Sequence, residues 1–333
     1  MSAEIKILFD TDIGCDCDDA GAMAVLHELA NRGECEILAV THCCAGPYNA
    51  GCIDAINRYF GRPDLPVGVF HPEDHVATQW KDVYARAVAE RFPNRFPPEA
   101  ACPGTLEVLR RALAEAKDGE VIFVVTGSMY SMARLVESGP DEISSFSGRE
   151  LIRRKIRRTV VMGGRFHSQW PQPIVLDGND RVDAEFNILC DISSARKVCS
   201  RWPGELVFCS YEIGLALHTG VELQTRGCPE NPVRASYALW GAQNGETGRE
   251  SWDLTAMLYA IRPDAGYWTL HEPGWVRISE DGVTSLEPAP DGRHTFLIEC
   301  APVEEVRQAL DRLLDADALR RRPGAFPNFR QTI

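Results

Sequence analysis

The chain has 333 residues, 44% of them hydrophobic and 25% charged, a balance that argues for a folded core and against wholesale disorder. Its formal net charge of −13 argues against a nucleic-acid backbone or an anionic membrane as the main partner. It shows no apolar run of about 18 residues and no leader-like start, so a cytoplasmic chain without a membrane partner is expected.

Short apolar runs at residues 5–9, 36–41, 121–125, 158–162 and 205–209 are predicted as strands. Helical patterns at 20–32, 50–60, 106–116, 129–137 and 193–200 alternate with them. Such alternation implies right-handed crossovers and an α/β fold: a mainly parallel open sheet flanked by helices, in one domain over 1–333. A small antiparallel element is predicted from about His271 to Ala301, packed on the main body, and the basic last twenty residues are predicted on the surface. Two stretches lack periodicity. One runs from Phe70 to about Pro103 and holds Trp80 and Tyr84; the other, from Phe166 to Arg181, holds Trp170 and Asn179. Irregular insertions of this length beside a sheet often serve as lids or substrate loops. The twelve cysteines contain no C-x-x-C pair, so reduced thiols packed as small hydrophobes are expected.

The chemistry concentrates first in Phe9-Asp10-Thr11-Asp12-Ile13-Gly14-Cys15-Asp16-Cys17-Asp18-Asp19, five aspartates within ten residues at the end of the first strand. Carboxylates this crowded repel one another unless a cation neutralises them or one stays protonated. Strand carboxyl ends are also where open α/β sheets bind ligands. Three further segments share the pattern of a strand end or helix start: Thr126-Gly127-Ser128, Met162-Gly163-Gly164 with the later Ala184-Glu185-Phe186-Asn187, and Trp252-Asp253. Oxygen donors from Asp12, Asp19, a carbonyl near Thr126 and Asp253 suit a hard cation such as calcium, and no His or Cys grouping is expected to compete for a softer metal. Asn179, Glu185 and Asn187 are the side-chain types that grip sugar hydroxyls.

On these residues the chain resembles the inosine–uridine nucleoside hydrolase family, whose opening motif is Asp-x-Asp-Pro-Gly-x-Asp-Asp-Ala. Here Ile13 replaces the proline and two residues are added before the final Asp pair. Val-Met-Gly-Gly, the Asn six residues before Glu-Phe-Asn and the late Asp before a helix match as well. The resemblance covers about Ile5 to Ala260. It implies a Rossmann-like core and a Ca2+-dependent N-ribohydrolase of nucleoside catabolism and purine salvage, with a small-molecule ribonucleoside as substrate and a homodimer or homotetramer as the assembly. It implies that Asp12 is general base and calcium ligand, with Asp19, Asp253 and the Thr126 carbonyl as further ligands. Asp18 and Asn187 would hold the ribose 2′- and 3′-hydroxyls, Asn179 and Glu185 the 5′ side, and Met162 would line the sugar. Asp10 would sit behind the ligands. Asp16 falls within the added pair and is either an extra ligand or solvated.

The departures lie on the leaving-group side. Many members carry His-Asp where this chain has Trp252-Asp253, and that His protonates the departing base. Trp252 cannot be an acid; it can stack on a purine, worth roughly 0.5–1.5 kcal/mol beyond burial, or be a core aromatic. Cys43 stands where the family often has an Asn near the base, and Gly127-Ser128-Met129-Tyr130-Ser131-Met132 departs from the family's Gly-Pro-Leu-Thr-Asn-Leu. His42, His71, His75, His167 and His218 are candidate proton donors, with His75 and His167 best placed in the irregular loops. Trp80 and Trp170 are candidates for stacking on a base. Two other readings stay open. One is a calcium- and ribose-binding protein that has lost turnover. The other is a haloacid dehalogenase-like phosphatase with Asp10 as nucleophile and Asp12 as acid, which leaves Glu185, Asn187 and Asp253 unexplained.

Overall fold

The computed structural model describes residues 5–70, 81–98, 100–166, 174–176, 179–181 and 184–316. Its strands run in chain order β1 (Lys6–Thr11), β2 (Glu36–Ala45), β3 (Val67–Phe70), β4 (Val121–Val125), β5 (Ile156–Met162), β6 (Ile174–Leu176) and β7 (Asn179–Arg181). They continue as β8 (Leu206–Cys209), β9 (His218–Thr219), β10 (Arg249–Glu250), β11 (Trp268–Leu270), β12 (Gly274–Ile278), β13 (Thr284–Pro288) and β14 (His294–Cys300). The helices are α1 (Asp18–Asn31), α2 (Asn49–Tyr59), α3 (Ala85–Arg91), α4 (Thr105–Glu115), α5 (Tyr130–Glu137), α6 (Gly148–Lys155) and α7 (Phe186–Cys190). After them come α8 (Ile192–Arg201), α9 (Tyr211–Leu215), α10 (Val221–Arg226), α11 (Pro232–Asn244), α12 (Trp252–Ile261) and α13 (Val303–Leu314).

The main sheet has the order β13-β12-β14-β8-β5-β4-β1-β2-β3, and its centre from β8 to β3 is parallel throughout. β4 (VIFVV) is apolar throughout and β1 and β5 carry apolar runs on both faces, as expected of strands covered by helices on both sides. Ile7 and Phe9 of β1 enter one core with residues of α1 and α12, whereas Leu8 enters the other with residues of α4 and α5. The predicted C-terminal antiparallel element is present, and it joins the body by prolonging the sheet. β14 pairs parallel to β8, and β12 with β13 forms a hairpin beyond it. One correction concerns the stretch predicted to be irregular after Phe70, whose described part contains α3. That segment is anchored by Val83, whose N–H donates to the Gly14 carbonyl at 2.8 Å, and by the wholly buried Tyr84, whose hydroxyl donates to the Asp16 carbonyl at 2.7 Å.

Strand order places the site. From β1 the chain builds outward to β2 and β3, then returns to the other side of β1 for β4, β5 and β8. The order therefore reverses between β1 and β4, the switch point at which such sheets leave a crevice beyond their carboxyl ends. Asp10 pairs with Val125 and Val125 with Val161, so the residues following β1, β4 and β5 emerge side by side at that edge.

Candidate active site

After β1 the chain turns through Gly14 at φ 121°, a conformation suited to glycine, and enters α1 with Asp18 and Asp19 in its first turn. Carboxylates at that position meet the positive end of the helix dipole. α12 packs along α1, and the approach depends on Gly21, where a Cβ would lie 2.4 Å from the Tyr237 hydroxyl and 2.8 Å from Leu254 Cδ1. This packing brings the first turn of α12 onto that of α1, and the Asp253 N–H donates to Asp18 Oδ2 at 3.1 Å.

Asp18, Asp19 and Asp253 are all buried, and their carboxylate oxygens lie within 4.8 Å of one another. Asp12, also buried, faces the same cleft of about 480 Å³, together with Thr126, Met162, Glu185 and Asn187. Burial, then repulsion from Asp19, raises the Asp12 carboxyl well above the usual range. Burial with repulsion from Asp16 and Asp19 does the same to Asp18, and burial with repulsion from Asp18 and Asp19 to Asp253. Asp19 rises only to about 6, because hydrogen bonds from Thr11 and Thr126 offset part of its desolvation. Buried carboxylates that oppose one another in this way, with oxygen as the sole donor type, fit a hard cation. Asp18, Asp19 and Asp253 form the tightest carboxylate group, and Asp12 and Thr126 line the same cleft beside it.

Around this floor stand other residues singled out in the sequence. The Thr126 hydroxyl donates to Asp19 at 3.1 Å, while its carbonyl accepts the Asn187 amide at 2.9 Å. The same amide lies 3.1 Å from Met162 Sδ. Glu185 caps α7, accepting the backbone N–H groups of Asn187 at 2.8 Å and of Ile188 and Gly164 at 3.2 Å. Its burial still outweighs these bonds and pushes it up to about 7. Asp10 is wholly buried behind the turn, takes a hydrogen bond from Thr41 at 2.5 Å, and is pushed by burial up to about 7. Asn179 lies in β7, and its side chain is outside the described set, as are His71, His75, Trp80, His167 and Trp170.

Asp16 is placed differently from either sequence expectation. It is half-buried and gripped by Arg249, whose Nη2 lies 2.6 Å from Oδ2 and whose Nε lies 3.0 Å from each oxygen. Arg249 also donates to Glu250 at 2.8 Å and lies over the rings of Trp240 and Trp252, 4.4 and 4.7 Å from their centroids. Burial opposes the guanidinium's charge, yet attraction and hydrogen bonding from Asp16 prevail and its pKa is raised. Trp252 donates its indole N–H to the Tyr211 carbonyl at 2.8 Å and stacks on the Tyr211 ring at 5.5 Å. Much of its ring is thus already engaged by Arg249 and Tyr211. Trp240, Arg249 and Tyr211 all line the cleft and were absent from the sequence reading.

The consecutive His42, Cys43 and Cys44 at the end of β2 do lie close enough together to form a group. His42 is a poor ligand there, since Nε2–H donates to the Ile13 carbonyl at 3.0 Å and Nδ1 accepts the Cys44 N–H at 3.1 Å. Burial lowers its pKa to about 4, and it stays neutral. His218 is bonded to the Thr247 carbonyl at 2.9 Å and does not line the cleft. All twelve cysteines are free thiols.

A mainly parallel sheet carrying a buried carboxylate floor at its switch point, with further polar side chains beside it, defines an α/β protein with a binding cleft at its strand ends. The profile of the inosine-uridine preferring nucleoside hydrolases matches residues 7–297, so the chain belongs to that family of N-glycosyl hydrolases. Among solved structures it is similar to a plant nucleoside hydrolase (18% identity, TM-score 0.68, 94% of this chain and 99% of that one). It is also similar to the inosine-uridine preferring nucleoside hydrolase of Bacillus anthracis (16%, 0.66, 94% and 99%). A third similar structure is the type III effector XopQ complexed with adenosine diphosphate ribose (17%, 0.66, 95% and 95%). No curated protein sequence matches.

Proposed function

We propose that this chain hydrolyses the N-glycosidic bond of a ribonucleoside, releasing ribose and a free base. The observation that carries the reading is the meeting of Asp12 with the Asp18–Asp19–Asp253 group and with Asn187 and Glu185 in one cleft. Asp18 and Asn187 hold the ribose 2′- and 3′-hydroxyls, Glu185 faces the 5′ side, and Met162 lines the sugar; the role expected of Asn179 falls on a side chain outside the described set. Asp12 takes the proton of the water that attacks the anomeric carbon. The carboxylate-rich floor favours the positive charge that develops on the sugar as the bond to the base breaks. Calcium is the cation that this all-oxygen donor set fits, held by Asp19, Asp253, Asp12 and the Thr126 carbonyl, with Asp18 adjoining. When bound, such a cation favours deprotonation of a water molecule near it.

A second reading has one observation in its favour: among the described residues lining the cleft there is no histidine. A protein that binds ribose and calcium without turnover fits that absence. Assaying reducing sugar released from inosine, adenosine, uridine and cytidine separates the two. Release that Asp12→Asn abolishes supports hydrolysis. Absence of release, with thermal stabilisation by ribose plus calcium, supports binding alone.

A further inference from the structure

We propose that Arg249, locked by Asp16, is the group that stabilises the departing base, replacing the acid that the cleft lacks. The inference rests on the N-ribohydrolase reading. When the bond between the anomeric carbon and the base nitrogen breaks, its electron pair stays on the nitrogen. The base then leaves as an anion unless a proton or a strong donor meets it. Asp12 carries away the proton of the attacking water and lies on the sugar's side, so it does not meet that charge.

The same cleft supplies the donor beside the carboxylate floor. Among the described residues its cationic side chains are Arg249 and Lys81, and Lys81 is exposed to solvent. Arg249 is held on three sides: by the Asp16 carboxylate, by Glu250, and by the rings of Trp240 and Trp252. These contacts engage the Nε–H and one N–H on each terminal nitrogen, so two of the guanidinium's five N–H donors remain. Donors fixed before the reaction need no reorganisation when charge appears, and this is the condition under which they accelerate bond cleavage most. Arg249 keeps its proton throughout. It donates hydrogen bonds to the base anion, which then takes its proton from solvent water.

Asp16 belongs to the two residues added to the family's opening motif, and Trp252 stands where many members carry the leaving-group His. Arg249 touches both. The insertion and the replacement therefore form one alteration, in which a bidentate ion pair orients a cation on the ring that displaced the acid.

Arg249→Gln and Arg249→Lys, checked for folding by thermal melts, are compared on two substrate types. Inosine and uridine have bases that leave as anions; 7-methylguanosine has a cationic base that leaves neutral and needs no stabilisation. For Arg249→Gln the expected result is a loss in kcat of roughly 10²–10³ on inosine or uridine, with a much smaller change on 7-methylguanosine. Arg249→Lys should fall between wild type and Arg249→Gln. Asp16→Asn should show the same selectivity with a smaller loss, as a residue that positions Arg249. Equal losses on both substrate types, or a selective loss from Lys81→Met in place of Arg249→Gln, would overturn the proposal. Wild-type protein that cleaves neither type would instead sink the hydrolase reading itself.

Discussion

The two walls of the cleft are built by different means. The carboxylate wall comes from strand ends and first turns of helices: Asp12 follows β1, Asp18 and Asp19 open α1, Asp253 opens α12, and Asn187 opens α7. All five side chains are at most 7% exposed, and backbone geometry alone fixes most of their positions. The other part of the lining is made of long side chains from α9, α11, β10 and α12, held by stacking and by the ion pairs of Arg249. On the proposed reading, topology thus sets the sugar side, while side-chain packing sets the leaving-group side. The second can change without disturbing the first.

The largest effect expected from this division belongs to the sugar wall. Asp12→Asn should lower kcat by roughly 10²–10⁴, the contribution of a positioned general base. The loss should be the same for inosine and for 7-methylguanosine, because the attacking water is common to both. A loss that tracks the leaving group would erase the distinction between the walls. The cation comes next. Calcium at a hundredfold excess over its Kd should stabilise the fold by about 2.7 kcal/mol, read as a rise in Tm that EGTA reverses. Asp253→Asn should abolish that rise, and Arg249→Gln should leave it intact. A calcium response retained in Asp253→Asn would remove the Asp18–Asp19–Asp253 group as the binding site.

The same division governs what the sequence disclosed. The sugar wall was legible because each of its acids sits next to a strand or helix whose apolar pattern is local. The five predicted strands all appear, β1 and β2 running further toward the site than their apolar runs suggested. β3 escaped notice because four residues make too short a pattern, and α3 because prolines and aromatics surround it. The role of Asp16 was invisible for another reason. Its partner lies 233 positions away on a two-residue strand, and an arginine there has no local mark to distinguish it from a solvated one. β14 joining the parallel sheet is likewise a pairing between distant segments that neither segment announces.

A milder perturbation tests how the leaving-group wall is packed. A Cβ on Gly214 would stand 2.4 Å from Trp252 Cα and Cδ1, so α9 can support Trp252 only through a residue without a side chain. Gly214→Ala should cost about 1–3 kcal/mol of stability, as overpacking does, and should push Trp252 and with it Arg249 out of place. Inosine turnover should fall, while the calcium-dependent rise in Tm stays as in wild type. Loss of both would mean that the walls are mechanically coupled.

The smallest expected effect concerns pH and sets the cleft against the body of the fold. His27 is wholly buried between α1 and α2, with Nε2 2.9 Å from Asn57 Oδ1, Nδ1 accepting from Arg62 at 3.2 Å and its ring stacked on Phe60. Burial, aided by the Arg62 charge, lowers its pKa to about 3. Between that value and the ordinary 6.5 the unfolded chain binds the proton and the folded chain does not. The stability His27 contributes is therefore whole above pH 6.5 and drains away as pH falls, by up to about 1.4 kcal/mol per pH unit. Glu185 runs the other way. With its folded value raised to about 7, its contribution is whole below the ordinary 4.5 and is lost as pH rises through 7. Denaturant midpoints measured from pH 4 to 8 should therefore show His27→Gln with a flatter acid limb and an unchanged neutral limb, whatever its overall loss of stability. An acid limb as steep as that of wild type would mean that His27 is not the proton-linked group.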